Sequence, residues 1–204
     1  MAAIGVLALV GAYHAALSRL RAVGANVQPV RYPAALSSLS ALVVPSAVPH
    51  ALYRLLAARD WRSAIHAFVV ERRPLWMMGA AALLFAQKRP SDDRSAPVPP
   101  ALWPILPLVP EAAVLHHPTT EARHFTATLS VPGITERYAA IFLSAPSFPA
   151  AGYRDDPRRL VRLSKFAERI VLLEWEHVLF TAFSPEFSDD PVFFRHFVER
   201  SKRA

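Results

Sequence analysis

Two groups of residues have types and spacing suited to chemistry. His116, His117 and His124 fall with Glu121 inside one nine-residue window. Imidazole and carboxylate together form a donor set for a transition metal. The spacing matches no metal motif, however, and neighbouring histidines on a loop serve equally well as solvated side chains. Farther along, Glu174 and His177 stand three residues apart. On a helix that spacing stacks carboxylate and imidazole one turn apart, the arrangement that carboxylate-bridged di-iron bundles use twice. Only one copy is present and the further glutamates are missing, so polar contacts at a helix interface are the expectation for Glu174, Glu176 and His177.

The rest of the search returns exclusions. The chain has no cysteine, which removes disulfides, thiolate catalysis, iron-sulfur clusters and cysteine-based zinc sites. Its six glycines, at 5, 11, 24, 79, 133 and 152, write neither a dinucleotide fingerprint nor a P-loop. No GxSxG elbow, HExxH pair or EF-hand loop is found. On these grounds no catalytic, cofactor-binding or metal residue is assigned, no cofactor is expected, and the chain reads as something other than an enzyme.

The elements that would position these residues divide the chain chemically. Of 204 residues, 53% are hydrophobic and 19% charged, and the mean hydropathy is +0.23. These values are more apolar than an ordinary globular chain. The net charge is +7, distributed unevenly. Residues 1–59 contain no acid and five arginines (Arg19, Arg21, Arg31, Arg54 and Arg59), while all 16 acids lie beyond them. An acid-free, arginine-bearing amino-terminal region has the composition of a mitochondrial targeting segment. Ala2 to Leu17 carries no charge and is followed by Arg19 and Arg21. It is read as a short membrane helix with a basic flank. A second charge-free stretch, Tyr32 to Tyr53, is cut by Pro33, Pro45 and Pro49, with Pro33 as helix start and Ala34 to Val44 as helix body. Leu75 to Ala86 is apolar between basic pairs. It is too short for a comfortable span and suits a core or an interfacial position.

Prolines at 97, 99, 100, 104, 107 and 110 favour extended, polyproline-like backbone suited to lying along another surface. Residues 123–131 alternate like a strand, and Val131-Pro132-Gly133 is a turn signal before the apolar run Tyr138 to Leu143. A small hairpin and a short helix from Thr135 compete there. Leu160, Leu163, Phe166, Ile170, Leu173, His177 and Phe180 recur at steps of three and four, predicting an amphipathic helix from about Pro157 to Phe183 that stops at Ser184-Pro185. A shorter helix from about Pro191 to Lys202 would complete a helical hairpin.

The sequence therefore predicts a mainly α protein in four regions. These are an acid-free membrane or targeting region at 1–59, basic-flanked apolar helices at 60–89, a proline-rich connector at 90–118, and a small domain with a long amphipathic helix at 119–204. The expected role is a structural accessory subunit of a mitochondrial inner-membrane complex, of the respiratory chain or ATP synthase. Its partners would be other subunits and membrane lipid, with no small-molecule substrate and no nucleic acid. Two other readings follow from the same features. An RNA-contacting mitochondrial ribosomal protein would use the basic charge, and a membrane enzyme or small transporter would use His14, His50 or His66 within lipid.

Overall fold

The computed structural model describes residues 3–88, 109–111, 113–114, 119–143, 145–147 and 160–203. Its strands are β1 (Ala3–Leu7), β2 (Val27–Val30), β3 (Leu39–Val44), β4 (Leu75–Met78), β5 (Ala86–Lys88), β6 (Val109–Glu111), β7 (Ala113–Val114), β8 (His124–Val131), β9 (Thr135–Leu143), β10 (Pro146–Ser147), β11 (Leu160–Phe166), β12 (Arg169–Trp175) and β13 (Val178–Thr181). The α-helices are α1 (Tyr13–Ala22), α2 (Pro49–Ala57), α3 (Trp61–Val70) and α4 (Val192–Ser201). Seven strands form one sheet in the order β11-β12-β13-β4-β3-β1-β2. From β13 to β2 every neighbouring pair is parallel, and β12 runs antiparallel to both β11 and β13.

Alternation along the central strands sends side chains to two separate cores. On one face Leu42, Val44, Leu75, Met77, Leu173 and Phe180 pack against Leu52 and Leu56 of α2 and Trp61, Ile65 and Phe68 of α3. On the other, Val43, Trp76, Met78 and Leu179 meet Leu17 and Leu20 of α1, Phe193, Phe194 and Phe197 of α4, and Tyr138 and Phe142 of β9. The Trp76 ring lies 5.1 Å from Phe194 and 5.3 Å from Phe197, and its indole N–H donates to the Thr181 hydroxyl at 3.1 Å. Each such buried aromatic contributes roughly 1.5–3 kcal/mol by leaving water.

This architecture is a mixed α/β fold, not the mainly α membrane protein that the sequence predicts, and the reason is specific. Strands of a parallel sheet covered on both faces are apolar at every position, so they read as continuous hydrophobic runs. Ala2 to Leu17 holds β1, a loop and the start of α1. The stretch after Tyr32 holds a 3-10 turn at Pro33–Ser38 followed by β3. Leu75 to Ala86 opens with β4. Among the described residues no helix is long and apolar enough to cross a membrane.

The predicted long helix over 157–183 is, from Leu160 onward, three strands. Its three- and four-residue steps are broken by two tight turns whose residues take left-handed backbone, Ala167 (φ 48°) and Glu168 (φ 60°) in one and Glu176 (φ 49°) in the other. Two-residue hairpin turns of this kind are ordinarily marked by Asn-Gly or Asp-Gly, and neither turn has that marker. Of the helical hairpin only its second arm, α4, exists, with Asp190 accepting from the Val192 amide at 3.0 Å. Between strand and helix for residues 135–143, the structure has the strand. β8 and β9 pair antiparallel through Val131↔Thr135, around Gly133 at φ 72°. Most of the proline-rich connector lies outside the described residues.

A charged cluster ties β11 and β12 to α4. Glu174 is 2% exposed and accepts from Arg162 at 2.8 Å, from Arg200, and from His196 at 3.2 Å when Nε2 carries the proton. Burial and the Arg162 guanidinium push the His196 imidazole down to about 4, and burial likewise lowers Arg200 to about 10. Glu174, already neutralised by two arginines, does not draw a proton onto the ring. The native state therefore leaves His196 neutral at a pH where the unfolded chain protonates it. Stability from this residue is complete above the ordinary histidine pKa of about 6.5 and is lost as pH falls toward 4. Denaturant titrations at pH 7.5 and pH 5 are expected to differ by on the order of 2 kcal/mol, and His196→Gln is expected to remove much of that difference. Equal pH dependence in wild type and His196→Gln would refute this assignment.

Candidate active site

Four parallel strands, β1, β3, β4 and β13, deliver their carboxyl ends to one edge of the sheet, where crevices of open α/β sheets bind ligands. The loop after β1 reaches Gly11 at φ 78°, and a Cβ there would stand 2.1 Å from the Ser46 carbonyl oxygen. That closeness lets the Ala12 amide donate to the same oxygen at 2.9 Å. β3 runs through Pro45 into Ser46. β13 runs on to Ser184, whose amide donates to Ile141 at 2.9 Å, and then into a 3-10 turn at Pro185–Phe187.

β4 ends in the sharpest of these junctions. Met78 is its last residue, and Gly79 turns at φ 54° straight into the 3-10 helix Gly79–Phe85. A strand-to-helix elbow in strained backbone is the geometry that lifts a nucleophile clear of a sheet in hydrolases. Here the elbow residue has no side chain, and two hydroxyls crowd it. A Cβ on Gly79 would lie 2.4 Å from Ser46 Oγ and 3.0 Å from Ser184 Oγ. These hydroxyls are 2.8 Å apart and hydrogen-bond to each other.

Beneath them sits a buried carboxylate. Glu186 is 2% exposed, and its Oε1 accepts from the Ser46 amide at 2.9 Å, while Oε2 has no hydrogen-bond partner. Burial pushes this carboxyl above the ordinary carboxylate range, and the bonds from Ser46 offset part of that rise. From outside, Arg19 of α1 donates from Nε to the Glu186 carbonyl at 3.5 Å and pairs with Asp189 at 2.8 Å, pinning the loop to the helix. The arrangement supplies two hydroxyls and an acceptor oxygen to a polar ligand. Among the described residues neither hydroxyl is hydrogen-bonded to an imidazole.

None of the described residues that the sequence singles out contributes to this edge. His116 and His117 lie outside the described residues. His124 starts β8 and is exposed, and Glu121 occupies left-handed backbone at φ 56° on an exposed loop. Among the described residues no group of three or more His, Asp or Glu is arranged to hold a metal. Glu174 and His177 are on a strand and the turn after it, not one helical face, and Glu174 faces Arg162, Arg200 and His196. The four residues that do form the site were readable only as punctuation. Gly79 sits inside an apolar run, Ser184-Pro185 reads as a helix stop, and Ser46 and Glu186 belong to no pattern.

Comparison with known proteins gives this edge its context. A model of the SNO glutamine amidotransferase family matches residues 6–203. The pyridoxal 5'-phosphate synthase subunit PdxT of Deinococcus radiodurans is 30% identical over 195 residues, covering 96% of this chain and 95% of its own. The PdxT subunit of Halalkalibacterium halodurans is 28% identical, covering 100% and 97%. A crystal structure of a glutamine amidotransferase shares the fold with a TM-score of 0.77 at 24% identity, covering 98% of both chains.

These matches overturn the expectation of a non-enzymatic accessory subunit of the mitochondrial inner membrane, with lipid and respiratory-chain or ATP-synthase partners and no small-molecule substrate. The relatives are subunits of an enzyme, and the RNA-binding and membrane-transporter readings fall with the accessory-subunit one. The acid-free amino-terminal region that suggested mitochondrial targeting contains β1, β2 and β3 of the seven-stranded sheet. Matched by the family model over residues 6–203 and by a 30%-identical relative over nearly its whole length, the chain belongs to the SNO glutamine amidotransferase family.

Proposed function

We propose that this protein is a PdxT-type subunit of an enzyme assembly of the pyridoxal 5'-phosphate synthase kind, docking on a synthase subunit with the Ser46–Gly79–Ser184 edge turned toward its partner. The observation that carries this reading is the extent of the likeness. The family model and the curated PdxT relatives cover the chain from end to end, so the whole subunit is matched and not one motif. In this reading the crevice addresses glutamine, the substrate class in the family's description.

The surface around the crevice supports a docking role. Val48, next to the Ser46 loop, is 57% exposed, and Phe187, next to Glu186, is 46% exposed. Large apolar side chains flanking a polar crevice are suited to be covered by a partner, since aromatic and aliphatic anchors carry most of the energy of an interface.

The test is complex formation between the purified chain and the synthase subunit from the same genome, measured by light scattering and by titration calorimetry. A defined complex is expected. Phe187→Asp and Val48→Asp are expected to weaken it at least tenfold while leaving the melting temperature of the isolated chain within a few degrees. Absence of any complex at micromolar concentrations would refute the assignment to such an assembly. A complex indifferent to both substitutions would refute the placement of the docking face.

A further inference from the structure

We infer that the Gly79 elbow is closed to covalent amide hydrolysis, so that within an assembly of the proposed kind the nitrogen arrives as free ammonia released by a different reaction. The inference rests on the reading of the chain as a PdxT-type subunit, and its test separates from that reading.

Releasing ammonia from a carboxamide through an acyl-enzyme makes three demands on a site. A nucleophile must attack the carboxamide carbon, a base must take its proton and return it to the leaving nitrogen, and a third group must orient the base. The fold keeps the position for the first demand, because the strand-to-helix elbow at φ 54° stands where a nucleophile would be presented. That position is glycine, and the chain contains no cysteine that could act from elsewhere. The position suited to a base is Ser184, whose Oγ lies 3.0 Å from the place of a Cβ on residue 79. A serine hydroxyl does not accept a proton at neutral pH. Only the orienting group remains, as Glu186, and its Oε2 is buried without a partner. A buried acceptor left unpaired is costly, and an orienting carboxylate facing no base accounts for one here.

The two serines do not supply the missing nucleophile and base. Their mutual bond at 2.8 Å places no imidazole on either hydroxyl among the described residues, and what Ser46 offers Glu186 is donors, which the carboxylate accepts, and not a base that it could orient. They fill the space instead. With Ser46 Oγ 2.4 Å from a Cβ at residue 79, a side chain cannot be restored at the elbow without moving Ser46. The closure is therefore built into three positions together, 46, 79 and 184.

The experiment uses the full-length chain, alone and with its synthase subunit, supplied with either glutamine or ammonium chloride as nitrogen source. Synthase product is expected with ammonium and not with glutamine, and glutamate release is expected to stay at the protein-free background. Glutamine-dependent glutamate release that disappears in Ser46→Ala or Ser184→Ala would overturn the inference. Release that persists in the double variant would arise away from this site and leaves the inference standing.

A second arm asks whether the closure lies in the three positions. Gly79→Cys alone is expected to lower the melting temperature and to release no glutamate. Adding Ser46→Gly is expected to recover most of the loss. The triple variant with Ser184→His is expected to form the thioester, expel ammonia and release glutamate on hydrolysis, at least tenfold above background. Gly79→Cys alone folding at the wild-type melting temperature and hydrolysing glutamine would overturn the inference. Failure to bind the synthase subunit would sink the proposed assembly, while glutamate release by the isolated chain reports on the elbow independently.

Discussion

Everything in this molecule depends on the two-sided burial of its central parallel strands. β4 is the clearest case, with Leu75 and Met77 facing one core, Trp76 and Met78 the other, and all four fully buried. A strand in that position has no solvent face, so its hydrogen bonds must all be made to neighbouring strands and its side chains to helices above and below. This fixes where β4 ends to within a residue. The elbow at Gly79 and the loops carrying Ser46 and Ser184 are held relative to one another by that rigidity, to which the Ser46–Ser184 hydroxyl bond and the Gly79 amide bond to Phe183 add. The Trp76–Thr181 hydrogen bond couples β4 directly to the last residue of β13.

That same two-sided burial is why the fold was hard to read. The apolar segments at 2–17, 34–44 and 75–86 were visible, and so was the acid-free amino-terminal region, but a continuous apolar run does not say whether lipid or protein surrounds it. Where one face meets solvent the sequence was more informative. β8 alternates between exposed and more buried positions and its hairpin turn at Pro132-Gly133 carries recognisable chemistry, as does α4 with its Phe193, Phe194, Phe197 and Val198 face. The strands β11 to β13 were lost because Ala167-Glu168 and Glu176 turn through left-handed backbone with no glycine to announce it.

The site was illegible for a different reason. Motif reasoning searches for reactive side chains at recognised spacings, and the residues of this edge stand at none. A glycine in an apolar run, a serine before a proline and an isolated glutamate acquire meaning only when the sheet brings residues 46, 79, 184 and 186 together. The cysteine count of zero was the one relevant signal. Membership in a family of amidotransferases could not be inferred from it.

The strand order has a consequence for how the chain is made. β13 lies beside β4, pairing Val178 with Leu75, so the sheet's middle seam joins segments about a hundred residues apart, with every element of β5 to β12 emerging between them. On a ribosome the first four strands can assemble early, but β4 then presents an open, apolar edge until β13, about a hundred residues later, has been synthesised. Non-local parallel pairing is slow to form, and unpaired edges invite association with other chains. The carboxyl-terminal β13 and α4 therefore act as the closing piece of the fold, and premature termination anywhere before them would leave an aggregation-prone half-sheet instead of a smaller domain.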